Sequence, residues 1–196
     1  MRERLQLGHT EEALENSELV DMATRRMNAM IEALTNPWQI DQHALKRRSI
    51  DMSALSEDTW TLVRSGETGR PIEIRLDPLP PALVDADLVA QVWQNLLHNA
   101  WKYSTRVPVS RIRVDSFQEA GRTWYRVADN GAGFDMAHAR VLFQPFRCMH
   151  AASQFEGSGI GLSMMQHIVR HRGGEVRLRS QVGVGMVAEF TMDAAA

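Results

Sequence analysis

The sequence predicts an α/β protein built as a two-layer sandwich: a mixed β-sheet with helices on one face, preceded by an N-terminal helix. Three observations predict it. Residues 85–103, "DADLVAQVWQNLLHNAWKY", form a strong amphipathic helical pattern. The runs "IEIRL", "RIRVDSF", "TWYRVADN", "EVRLRS" and "MVAEFTM" read as strands. The stretch "FEGSGIGLSMMQHIVRHRGG" (155–174) passes from alternate glycines directly into a helical repeat. Strands and helices mixed in this order suggest a sheet covered by helices. With 196 residues, 44% hydrophobic and 23% charged, the chain can bury a real core in one or two domains.

Each element has its own local signal. Residues 10 to about 35 are dense in helix formers, and Val20, Ala23, Met27, Met30 and Leu34 make one narrow apolar stripe. Thr10 followed by Glu11 and Glu12 suits a helix start, and Asn36-Pro37 stops the helix because the residue before proline avoids helical angles. A single helix cannot bury such a stripe alone, so it calls for a partner helix in this chain or in a second copy. "SIDMSALSEDTWTLV" then reads as a short strand and a helix capped at Ser53 or Ser56. "IEIRL" alternates like a half-buried strand, "DPLPP" is a loop, and "QEAGR" is the turn between two strands. After a variable middle come a helix from about Gly161 to His171 and two closing strands.

Charge and cysteine content narrow the classes. Lys+Arg 22 against Asp+Glu 24 leaves a formal −2, which offers no bulk electrostatic footprint for nucleic acid. The single cysteine, Cys148, excludes an internal disulfide and fits a reducing compartment. No apolar run reaches membrane-spanning length and "MRERLQLGHTEEALE" lacks a signal-peptide core, so a cytoplasmic protein without a membrane segment is expected.

Three segments carry candidate chemistry. Gly157, Gly159 and Gly161 let a ligand approach the main chain, and the helix N-terminus that follows favours phosphate. The spacing is neither the dinucleotide fingerprint nor a P-loop, and taken alone it also fits a glycine-rich turn before a core helix. On residues 85–103, Asn95, Asn99 and Lys102 share one face while Val92, Leu96 and Ala100 form the other. Two amides and a cation suit magnesium and its phosphates, although a solvated helix face has the same pattern. "VADNGAGFD" ends a strand on Asp129, whose carboxylate can accept from an exocyclic amine such as that of adenine, with Gly131 and Gly133 letting a ring lie close. A plain Asp-Asn-Gly turn reads almost identically. His167 and His171, four apart, lack a third ligand at a zinc spacing and read as ordinary surface or satisfied histidines.

Taken in order, "NLLHNAWKY", "DNGAGF", "LFQPF" and "GSGIGL" resemble the ATP-binding catalytic domain of sensor histidine kinases, and more distantly the superfamily that includes gyrase, a heat-shock chaperone and a mismatch-repair ATPase. The resemblance extends over roughly residues 50 to 192. It implies the Bergerat ATP-binding fold, with residues 46–196 as the catalytic domain and 1–45 as a residual dimerisation helix. It further implies that Asn99 ligates magnesium with Asn95 close by, that Lys102 meets phosphate, and that Tyr103 lies by the nucleotide. Asp129 takes the adenine amine, Gly131 and Gly133 shape the base pocket, and Phe143 and Phe146 belong to a mobile lid. Gly157, Gly159, Gly161 and Leu162 supply the bed for the phosphates. Hydrolysing relatives place a glutamate general base where this chain has Asn95; an amide cannot accept that proton, so transfer of the γ-phosphoryl group is expected rather than hydrolysis.

The implied partners are a phosphoacceptor hairpin of the same or another chain, a response regulator receiver domain, and a second copy in a homodimer. Two departures stand out. Cys148 occupies the place where the family commonly has an arginine after Phe146, with Arg147 one position early. The family's phosphoacceptor histidine motif is absent, and His9 in "LGHTEEA" is not expected to replace it. A catalytically inactive nucleotide-binding scaffold, acting through the N-terminal helix, is the alternative reading.

Overall fold

Asp51 separates the first strand from the first helix of a computed structural model that describes residues 47–65, 70–147, 155 and 159–192. The expected helix at residues 15–36 lies outside these residues. Strand β1 spans Arg48–Ile50, and helix α1 spans Met52–Arg64. The cap of α1 is Asp51, whose carboxylate accepts the N–H groups of Ser53 at 2.9 Å and Ala54 at 3.1 Å. This corrects the expectation of a cap at Ser53 or Ser56: an extended Asp51 already serves the first turn. Ser53 instead turns its hydroxyl to Leu79, accepting that residue's N–H at 2.8 Å, while Ser56 donates to the Ser53 carbonyl.

Strand β2 is Ile72–Leu76, and a short strand β3, Ala82–Val84, pairs antiparallel with β1. Helix α2 runs Ala86–Tyr103 with Asp85 accepting the Asp87 N–H at 3.2 Å. Strands β4 (Ser110–Glu119) and β5 (Arg122–Asp129) extend further than their apolar runs, because the turn is only Ala120-Gly121, both with positive φ (51° and 73°). Such a two-residue turn matches the twist of a hairpin. Gln118 and Glu119, expected in the turn, are therefore paired with Thr123 and Arg122. A 3₁₀ helix over Met136–Phe143 fills the variable middle, helix α3 covers Gly161–His171, and strands β6 (Glu175–Gln181) and β7 (Gly185–Thr191) close the fold.

Five strands form one sheet in the order β2-β4-β5-β7-β6, with β2 and β4 parallel and the remaining neighbours antiparallel. The mixed sheet bears its helices on one face, as expected. That face presents Ile112, Val114, Tyr125, Val127, Ala188 and Phe190 to the apolar side of α2, where Val89, Val92, Trp93, Leu96 and Leu97 have no exposed surface. Trp93 meets Tyr125 and Phe190 edge-on, with ring centroids 6.1 and 5.2 Å away. Truncating Trp93 to alanine would cost about 3–5 kcal/mol. The opposite face is ionic: Asp115 joins Arg113 at 2.9 Å and Arg126 at 2.6 Å, Arg179 pairs with Glu189, and Phe117 stacks on Trp124. Helix α2 is thereby fixed by its apolar side. Its polar side is left for another purpose.

Candidate functional site

The polar side of α2 carries Asn95, Asn99 and Lys102, all partly exposed, as the helical spacing requires. Asn95 Nδ2 donates to the Gln91 carbonyl at 2.9 Å. That bond leaves Oδ1 directed at the start of α3, where a Cβ on Gly161 would stand 2.5 Å from it. No side chain caps Ile160 at the N-terminus of α3, so the first-turn N–H groups and the positive end of the helix dipole face the Asn95 side chain without a competing cap. Leu162 packs against the core behind that turn. Lys102 Nζ lies 3.1 Å from the Tyr103 hydroxyl and 4.4 Å above the Tyr103 ring.

The carbonyl of Tyr103 ties α2 to the loop after β5 by accepting the Ala132 N–H at 2.9 Å. The approach is close enough that a Cβ on Gly131 would lie 2.5 Å from the same oxygen. The carboxylate of Asp129, the last residue of β5, accepts the Gly131 N–H at 2.8 Å, and Met186 of β7 is its register partner across the sheet. Burial pushes its pKa up to about 6 and the Gly131 N–H pulls against that rise. Asn130 points elsewhere: it accepts the Arg111 N–H at 2.7 Å and donates to the Val109 carbonyl, which stitches the loop to β4.

The far side of this loop rests on the β6–β7 hairpin. Gly133 has φ +58°, and a Cβ there would fall 2.0 Å from the Gln181 carbonyl oxygen. The Ala132 carbonyl accepts the Gly183 N–H at 2.7 Å. A Cβ on Gly185, whose φ is +132°, would sit 1.9 Å from the Asp129 carbonyl oxygen. Main chain meets main chain at both positions, so no side chain fits.

Phe143 ends the 3₁₀ helix half-buried against the core, whereas Phe146 is 42% exposed and has φ +64°. Phe146-Arg147 crosses Gly159 (φ +71°), where a Cβ would be 2.8 Å from the Arg147 nitrogen. The structure thus brings Asn95 to Gly161 and Asp129 and Gly131 to Tyr103. Gly157 and Cys148 lie outside the described residues. Two residues were missed by sequence reasoning. The ring of Phe155 meets Tyr103 edge-on at 5.1 Å, with the Arg106 guanidinium 5.1 Å above it. Ser180 bonds the loop to the hairpin. Phe155 opens the glycine-rich stretch, and an aromatic at that place was the available signal.

Among the described residues, no helix is long and apolar enough to cross a membrane. The family described as histidine kinase-, DNA gyrase B-, and HSP90-like ATPase matches residues 84–196. The adaptive-response sensory kinase SasA of Synechococcus sp. (strain JA-2-3B'a(2-13)) is 30% identical over 94% of this chain and 51% of its own length. The alginate biosynthesis sensor protein KinB of Pseudomonas aeruginosa is 28% identical over 98% of this chain and 32% of its own. The chain therefore spans about half or less of these relatives. In fold it resembles the mycobacterial sensor histidine kinase MprB (TM-score 0.62, 22% identity, 74% of this chain and 95% of that one). It also resembles full-length ShkA in complex with AMPPNP (TM-score 0.69, 22% identity, 94% and 40%). With sensor histidine kinases among its homologues, the chain belongs to the family of histidine kinase-, DNA gyrase B-, and HSP90-like ATPases, and its folded core is that family's ATP-binding module.

Proposed function

We propose that this chain is the catalytic core of a two-component sensor histidine kinase, binding Mg-ATP and passing the γ-phosphoryl group to a histidine on a phosphoacceptor hairpin. The observation that carries the reading is the partly dehydrated Asp129 carboxylate, held by the Gly131 N–H on a loop bonded to the end of the Asn95–Lys102 helix. An acceptor of this kind at the bottom of a glycine-lined turn suits the amino group of adenine. Gly131 and Gly133 shape the base pocket by letting the loop lie main chain to main chain against Tyr103 and Gln181, and Tyr103 lies beside the base.

The donor set fits magnesium and phosphate: the amide oxygens of Asn95 and Asn99 are hard ligands, Lys102 adds a cation, and the uncapped start of α3 offers N–H groups. Asn99 is the assigned magnesium ligand with Asn95 beside it. Bound magnesium supplies neutralisation of phosphate charge. The chain's own share is positioning: α2 and the glycine-rich stretch carrying Gly157, Gly159, Gly161 and Leu162 orient the phosphates, and Phe143 and Phe146 belong to the lid that closes over them. Asn95 cannot take a proton from water, which favours transfer over hydrolysis.

Residues 1–45 are assigned as part of a dimerisation helix and 46–196 as the catalytic domain, working in the cytoplasm as a homodimer in the full-length context. A response regulator receiver domain is the next acceptor. Calorimetric titration with a non-hydrolysable ATP analogue and magnesium tests the site: saturable binding is expected, and Asp129→Ala should abolish it. Labelled phosphate should then appear on a separately supplied phosphoacceptor hairpin. The second reading is a catalytically inactive nucleotide-binding regulatory module acting through the N-terminal helix, which binding without transfer to any hairpin would select.

A further inference from the structure

Ser180 is the penultimate residue of β6 and pairs with Met186 of β7. Its Oγ accepts the Phe134 N–H at 2.8 Å and donates to the Gly185 carbonyl at 2.8 Å. The Gly185 carbonyl and the Met186 N–H belong to one planar peptide unit. Met186 is also the register partner of Asp129 across the β5–β7 ladder. Phe134 N–H thus donates to Ser180, and Ser180 O–H to the carbonyl of the residue beside that partner.

The hydroxyl joins the two segments that meet at Asp129, the Gly131–Phe134 loop that supplies its N–H donor and the start of β7. We propose that Ser180 is a positioning residue for base recognition, holding against the start of β7 the loop on which the base rests and from which Gly131 donates to Asp129. The inference rests on the nucleotide reading of the site and assigns it a base-side control separate from the phosphate side. Burial raises the Asp129 pKa and the Gly131 N–H opposes that rise, with Ile112 and Met186 as its neighbours in the sheet. A loop released from Ser180 loosens that N–H and so registers on the carboxylate.

The test titrates the full chain with magnesium and either AMPPNP or inorganic tripolyphosphate, from pH 5 to 8.5. Ser180→Ala is expected to weaken AMPPNP binding about tenfold at pH 7.5. The pH at which binding is half lost should move upward, while tripolyphosphate affinity stays within about twofold. Ser180→Thr, which keeps the hydroxyl, should restore the unaltered profile. Should the alanine variant not fold, Ser180→Cys replaces it, since a thiol fills the place with a much weaker donor. Equal AMPPNP affinity and an unmoved pH profile in the unaltered chain and the Ala or Cys variant overturn the inference. Parallel loss of both ligands overturns it too, because that marks a general structural role. If the unaltered chain binds tripolyphosphate but not AMPPNP, or binds neither, the nucleotide reading falls and this inference with it.

Discussion

Around Asp129 the main chain is gripped from three directions: by Tyr103 of α2, by the Gly133–Gln181 approach, and by Ser180 through Gly185. Around Asn95 and Asn99 the fixing is of another kind. Those amides ride on a helix whose opposite side is buried; among the described residues, Asn95 bonds only within its own turn and Asn99 has no side-chain hydrogen bond. On the proposed reading, the base side is built before any ligand arrives, and the phosphate side leaves the Asn99 amide to its ligand. Preorganisation of an acceptor gives discrimination, whereas multivalent phosphate and its metal can organise amides as they bind.

The sharpest way to break this contrast is at Gly185. Gly185→Ala drives a Cβ into the Asp129 carbonyl at a φ that L-residues rarely adopt, and should cost more than about 4 kcal/mol, read as a large fall in the thermal unfolding midpoint. A variant of near-native stability would mean the base side is pliant after all. Next in size is Asp129→Asn. The folded-state pKa lies above the ordinary 3.8, so folding favours the protonated acid. The associated stability is fully present below pH 4 and is lost as pH rises through about 6. Asparagine escapes that loss, so the variant should gain up to about 3 kcal/mol over the unaltered chain at pH 8, the gain shrinking toward pH 4.5 in urea unfolding. Nucleotide binding should disappear in the same variant. No difference in pH dependence between the two proteins would show the carboxylate to be well hydrated.

On the phosphate side, Gly161→Ala presses on the movable end of the Asn95 side chain while improving helix propensity. Stability should stay within about 1 kcal/mol while affinity for the ATP analogue falls several-fold by calorimetry. A stability loss matching that of Gly185→Ala would erase the distinction between the two sides. The smallest effect belongs to Gly121→Ala in the β4–β5 turn, where nothing lies within 4 Å and only the positive φ matters. About 1 kcal/mol of stability should be lost there, with nucleotide affinity untouched.

How much of this was readable from residues alone follows the range of the forces involved. Helix α3 begins at Gly161 and ends at His171, where the glycine loop and the helical repeat place it. The apolar positions of α2 and the alternation of β2 are equally local signals, and they fixed which side of α2 would be polar. Strand β3 escaped because its three residues follow two prolines and gain strand character only by pairing with β1. The cap at Asp51 was overlooked because two serines nearby had the same credentials, and only the packing of Ser53 on Leu79 distinguishes them. In the site, Asp129 and Gly131 stood out as a strand ending on a carboxylate and a glycine. Ser180 did not, because its partners are 46 residues before it and 5 after it, a relation that nothing in "RLRSQ" announces.

The sheet order has a kinetic consequence. Strands β4 and β5 meet through a two-residue turn, but β2 reaches its parallel place beside β4 across a separation of 38 residues, as between Glu73 and Arg111, and α2 lies inside that connection. Closing so long a loop delays pairing relative to a hairpin. In refolding, the helix that carries Asn95, Asn99 and Lys102 should reach its final seat with this late crossover, after the β4–β5 hairpin has already set Asp129 at its end.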